Sequence, residues 1–226
     1  MGRLRLVGIN FRFLKSNYYK RIVRLGSHML YGVSSKHRLS STTAKDWIGD
    51  GLFYMMDILL FPELHEMLLL LAKPRMRSLT KSEIHIAQRF FASSIDYKVV
   101  RINDQMLSQL KKKAHAYVSI NTINYDRHIS EPILIHELVH VWQYQKYGSM
   151  YIYRALSAQR TREGYDYGGV EGLYKSMMNQ RKLVDFNFEQ QGAIIEDYCR
   201  LLLSPIESPS PLIYSTYEYY AAQLRD

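Results

Sequence analysis

The chain is poor in cysteine, in uninterrupted apolar runs and, over its first fifty residues, in acid. A single cysteine in 226 residues, Cys199, excludes an internal disulfide framework. It also excludes a cysteine-based zinc cluster, so any metal site has to be built from His, Asp and Glu. The most apolar stretch, residues 52–72, carries Asp57, Pro62, Glu63, His65 and Glu66. A membrane-spanning helix of that length is nearly free of charge, so no transmembrane segment is expected. Arg3, Arg5, Arg12 and Lys15 interrupt any signal-peptide core, so export would need a route other than a cleaved signal.

What is present is enough for one sizeable domain with an extension, and 47% hydrophobic residues suit a globular core. The net charge of +9 is unevenly placed. Residues 1–50 hold ten Lys/Arg against Asp46 and Asp50, a net +8, and the rest of the chain holds +1. Attraction to anionic surfaces therefore belongs to the N-terminal segment, and nucleic-acid binding is not expected of the remainder. Residues 1–42 read as a loosely packed basic arm ending in Ser/Thr, or as a docking segment for a carrier, a membrane surface or a polyanion. Residues 44–72 read as helix broken near Pro62. These segments make a first unit, 1–74, ahead of a main domain, 75–226.

The main domain opens with a capping box, Thr80 to Glu83. Strand-like runs follow at 97–102 and 116–123, the second with half-buried alternation. One of these strands is a candidate edge for an extended peptide. Ser130 and Pro132 then open a helix expected to end at Gly148. Helices near 150–161 and 170–181 flank a polar loop containing Tyr165 and Tyr167. The expected fold class is α+β: a mostly helical domain with a small β-sheet preceding the 131–147 helix.

That helix carries His136-Glu137-Leu138-Val139-His140. Residues four apart lie one turn apart on the same face, so His136 and His140 can offer two imidazoles to one ion. Glu137 stands beside them as a general base, the spacing of zinc peptidases. Gln143, on the same face, is a candidate to orient a ligand or touch substrate. A catalytic zinc needs a third protein ligand and an open position. With Val-Trp-Gln-Tyr-Gln after His140, that ligand should be a carboxylate from a later helix. Glu189 is the preferred candidate and Glu196 the second, with Ala193 letting the two helices meet. Asp197 is a candidate to accept a hydrogen bond from a ligand histidine. Tyr165 or Tyr167 could donate to a developing oxyanion, as could His115 or His128.

The segments Leu79-Thr80-x-x-Glu83, Ser94-Ile95-Asp96-Tyr97-x-x-Val100-Arg101-Ile102, His136-Glu137-Leu138-x-His140-Val141-Trp142-Gln143 and Phe186-Asn187-x-Glu189-Gln190-Gln191-x-Ala193 together resemble a family of bacterial H-E-x-x-H proteins. Its members occur as Rhs- and VgrG-associated domains, including the metallopeptidase domain ending some type VI secretion spike proteins. The resemblance spans about residues 75–205 and is similar more broadly to gluzincins. It implies a zincin-like fold with one zinc per chain, held by His136, His140 and Glu189, and with Glu137 as base. It also implies a secreted antibacterial effector acting on a peptide or protein in the periplasm of a target bacterium. A carrier or spike protein and an immunity protein would be its partners. Gly192 departs from the alanine expected there. Two other readings predict different behaviour. A non-catalytic zinc-folded interaction module would bind metal without turnover, and a polyanion binder using residues 1–50 would show steep salt dependence.

Overall fold

The computed structural model describes residues 3–31, 43–73, 76–105, 116–204 and 210–225. In chain order the elements are α1 (Arg3–Tyr31), α2 (Ala44–Ile58), α3 (Phe61–Ala72), β1 (Arg77–Ser78), α4 (Lys81–Phe91), β2 (Arg101–Asn103), β3 (Ala116–Ser119), β4 (Thr122–Tyr125), α5 (Glu131–Tyr147), α6 (Met150–Ala158), α7 (Gly169–Met178), α8 (Phe188–Leu203) and α9 (Pro211–Ala221). The fold is α+β and mostly helical, with a four-stranded sheet in the order β1-β2-β4-β3. β2 and β4 are parallel, and the two outer pairs are antiparallel.

The core is organised around α5, which is buried on nearly every side and packs chiefly against α8. Ile135, Leu138, Val139, Val141 and Trp142 from α5 meet Ile194, Ile195 and Tyr198 from α8 and Phe90 and Phe91 from α4. Each such fully buried side chain stabilises by about 1.5–3 kcal/mol. The helix opens with Pro132 in its first turn and closes at Gly148, whose φ of 83° and close approach to Asp57 both require glycine. Ser130 has cap backbone geometry but makes no side-chain cap bond, so the amide satisfaction expected of it is absent there. The Thr80–Glu83 capping box forms as its sequence dictates.

Three expectations need correction. The basic arm is a 29-residue helix, α1, through Tyr31, and it is docked rather than loose. Its Arg21 is buried, donating to the Asp57 carbonyl at 2.7 Å and to Glu63 at 2.9 Å, while Arg24 donates to the Gln145 carbonyl of α5 at 3.0 Å. The Ser/Thr stretch 34–42 and the boundary at 74/75 lie outside the described residues. The first strand is shorter than expected. Asp96 accepts from the Lys98 amide at 3.0 Å, an Asx turn that takes the chain away from extended geometry until Arg101. The run 116–123 is not one strand but the first part of a tight hairpin, with Ile120 at φ 62° in its turn. Residues 44–72 break as expected, with Leu60 left-handed and Pro62 in the first turn of α3.

Candidate metal centre

α5 presents His136 and His140 one turn apart with ring centroids 5.1 Å apart. α8 approaches across them. The Asn187 side chain accepts from the amides of Glu189 (3.0 Å) and Gln190 (2.8 Å), and Gln190 accepts back from the Asn187 amide at 3.1 Å. This capping box fixes the first turn of α8 and so the direction of Glu189. The close approach is permitted by Gly192, not Ala193: a Cβ at 192 would lie 2.7 Å from the His136 ring. The glycine that looked like a departure is thus a packing requirement of the site.

Three ligand atoms converge. Glu189 Oε2 lies 3.5 Å from His136 Nε2 and 3.4 Å from His140 Nε2. Ligands about a tetrahedral ion with bonds of ~2.0–2.1 Å stand about 3.4 Å apart, so this donor set fits a zinc-like cation. His136, His140 and Glu189 are all buried, and their ligand atoms lie within 4.8 Å of one another. The other Glu189 oxygen, Oε1, is held by Gln159 Nε2 at 2.8 Å. His140 is oriented from behind. Gln143 Nε2 donates to the Phe188 carbonyl and to Gln191 Oε1, both at 3.0 Å. Its Oε1 therefore faces His140 Nδ1, at 2.8 Å, as acceptor. That places the proton of neutral His140 on Nδ1 and leaves the Nε2 lone pair facing Glu189. On His136, Nδ1 is 2.9 Å from Glu196 Oε2. The approach is an ion-pair contact and not an aligned hydrogen bond, for Nδ1 has no hydrogen-bonded acceptor among the described residues.

The cluster shifts its own protonation. Burial opposes charge on His136, but Glu189 and then Glu196 outweigh it and push the imidazole up to about 10. Burial likewise opposes charge on His140, and Glu189 again raises it. Burial works to raise Glu189 as well, yet the two imidazoles hold it far below the usual carboxylate range. Glu137 is raised by burial, with both histidines pulling the other way. Its Oε2 is buried with no hydrogen-bond partner among the described residues, which is costly for a carboxylate and points to a group outside the protein.

A cleft of about 420 Å³ opens over these atoms. β3 forms one wall, and Tyr151, Ile152, Ala155 and Leu156 of α6 form another. Tyr165 also lines it, its ring 5.9 Å from that of His136, and burial followed by Glu189 raises its phenol. Tyr167 is not part of this wall. It donates to Asp197 at 2.6 Å and meets Tyr217 at 2.9 Å. Asp197 accordingly serves Tyr167 rather than a ligand histidine, and Glu196 is the acid that approaches His136. Glu196 stands behind His136, on the opposite ring nitrogen from Glu189. His128 is exposed away from the cleft, and His115 lies outside the described residues.

Gln159, Gln191 and Tyr151 were not singled out by sequence. Tyr151 donates to the Val118 carbonyl at 3.3 Å and accepts from the Ile120 amide at 3.2 Å, fastening the hairpin beside His140. Gln159 and Tyr151 sit at no motif spacing. Only Gln191, four residues from Asn187 in a polar run within an apolar helix, carried a signal.

No family model matches the chain. Over 137 residues it is 28% identical to the type VI secretion system spike protein VgrG2b of Pseudomonas aeruginosa (strain PAO1), covering 54% of this chain and 13% of that protein. The chain therefore corresponds to a small part of that relative's length. The solved effector domain of Pseudomonas aeruginosa VgrG2b is 21% identical, over 66% of this chain and 84% of that one, with a TM-score of 0.39. Over about half its length the chain is thus a distant relative of a type VI secretion spike protein.

Proposed function

We propose that the chain is a zinc-dependent peptidase that acts as a type VI secretion effector. The observation that carries the reading is the single carboxylate oxygen of Glu189 facing both Nε2 atoms, beside a buried and unpartnered Glu137 oxygen. When bound, zinc supplies Lewis acidity and lowers the pKa of a water towards ~7. His136, His140 and Glu189 would hold the ion. Glu137 would take the proton of the attacking water and pass it to the leaving amine. β3 pairs with β4 on one side only among the described residues, and its residues line the cleft. An extended peptide laid along this edge would pair with backbone groups of β3 other than the Val118 carbonyl, which Tyr151 holds. Tyr165, which lines the cleft, would donate to the developing oxyanion.

A purely structural zinc module would close the ion with four protein ligands. Here three donors converge beneath an open cleft, which favours catalysis. The relation to a secretion spike protein supports delivery by such a spike; we further propose action in the periplasm of a target bacterium and protection of the producer by an immunity protein. Periplasm-directed expression of the chain and of Glu137→Gln in a test bacterium checks this. Glu137→Gln should retain zinc and lose peptide hydrolysis and growth inhibition by roughly 10²–10⁴-fold. Growth inhibition undiminished in Glu137→Gln would contradict the enzymatic reading.

A further inference from the structure

The helices α2 and α3 are amphipathic in the inverse sense. At 100° per residue, Ile48, Leu52 and Met55 of α2 and Leu59 at its C-terminal cap form one stripe, and Asp50 and Asp57 lie on the opposite side. The stripe is exposed, from 49% at Met55 to 64% at Leu59, and both acids are buried. α3 repeats the arrangement. Phe61, Leu64, Leu68 and Leu71 are 49–61% exposed, whereas Glu66 and Leu70 face inward. Large contiguous apolar surfaces of this kind mark interaction sites.

Among the described residues of α1–α3 the exposed charges are of one sign. α1 contains no acid, and its exposed side mixes Arg12, Lys15 and Lys20 with Tyr19, Ile22, Val23 and Leu30. Among the described residues of α1–α3 no carboxylate is exposed, because the acids of α2 and α3 are turned inward or half-buried. No helix among the described residues is long and apolar enough to cross a membrane. Exposed leucines and methionines without acids, on helices packed against one that presents exposed cations, complement a surface with an apolar interior and anionic headgroups. The core of a protein–protein interface, by contrast, is depleted in lysine.

We propose that α1–α3 form a membrane-docking face, which seats the α2–α3 stripe in the headgroup–acyl boundary of an anionic lipid bilayer. The face is independent of the metal centre, and Glu137→Gln should bind vesicles as the unchanged chain does.

Flotation of the full chain with vesicles of phosphatidylcholine alone, and with a third phosphatidylglycerol, tests it. The chain should float with the anionic vesicles at least tenfold better than with neutral ones, with added salt narrowing the difference. The double variant Leu52→Glu/Leu64→Glu, folded by circular dichroism, should lose at least tenfold of the binding. Lys15→Glu/Lys20→Glu should lose the preference for anionic lipid and keep the weak neutral binding. The proposal is overturned if the chain does not float with anionic vesicles or if the Leu→Glu pair floats equally well. It is also overturned if light scattering shows a dimer that the Leu→Glu pair dissolves, for the face is then covered by a second copy.

Discussion

Buried acids occur in two parts of this molecule and are treated oppositely. In α2 and α3 each inward acid has a partner. Arg154 donates to Asp50 at 2.6 Å, the Ser149 amide to Asp57 at 3.0 Å, Arg21 to Glu63 at 2.9 Å and the Asn121 amide to Glu66 at 2.9 Å. Around α5 the accounting is left open: Glu137 Oε2 has no partner among the described residues, and Glu189 Oε2 faces two imidazoles at 3.4–3.5 Å, beyond good hydrogen-bond distance. A satisfied buried acid fastens helices together. An unsatisfied one, at the floor of a cleft, is a cost that only a ligand relieves.

Removing a partnered acid should show the largest effect. Asp57→Ala strips the acceptor from the Ser149 amide and leaves Arg21 and Arg24 near an uncompensated site. Urea denaturation should show a loss of about 3 kcal/mol, and a loss below ~1 kcal/mol would mean that α1–α3 contribute little to holding α5 and α6. Next comes the support of the open site. Gln159→Ala frees Glu189 Oε1, and zinc affinity measured against a competing chelator should fall by about 10–100-fold. An unchanged affinity would reduce Gln159 to a surface contact.

The third effect is in protons. His136 is pushed up to about 10 in the metal-free protein, above its ordinary value near 6.5. The stability this gives is complete below ~6.5 and is lost as the pH rises through about 10. A metal needs the lone pair, so it must displace the proton. Zinc binding at pH 7.5, followed by calorimetry in buffers of different ionisation enthalpy, should release at least one proton. Affinity should rise about tenfold per pH unit for each proton displaced below pH 10. Binding without proton release would contradict the charge-sharing cluster. The smallest effect is the most contrary to habit. Glu137→Gln should leave the metal-free protein as stable as before or stabilise it by about 1 kcal/mol, because an unpaired buried acid is removed. A clear loss of stability would show that Glu137 is a structural acid like Asp57.

Much of this was legible in the sequence because local rules agreed with the global packing. The bounds of α5, the capping box at Thr80 and the break at Pro62 each follow from residues within one turn. Bringing Glu189 to the two histidines required only a metal's need for a third donor and a helix with few acids to choose from. What escaped was tertiary. Ile120 is no turn former, and its left-handed conformation is held by Tyr151 from another helix. α1 carries no acid in its first turn, and it is the burial of Arg21 against Glu63 and Tyr144 that secures it. Ala193 and Gly192 are neighbours in sequence, and only the position of the His136 ring tells which one has to be small. Tyr167 and Asp197 both carry groups that the site could use, but each is engaged by the other.

The central claim is that His136, His140 and Glu189 hold one ion and Glu137 does not. Metal content per chain, measured on the purified protein after zinc loading and dialysis, tests it most directly. The account predicts one zinc per chain in the unchanged protein and in Glu137→Gln, and well under half of that in His140→Ala and Glu189→Ala. Full zinc occupancy in Glu189→Ala, or loss of zinc in Glu137→Gln, would contradict it.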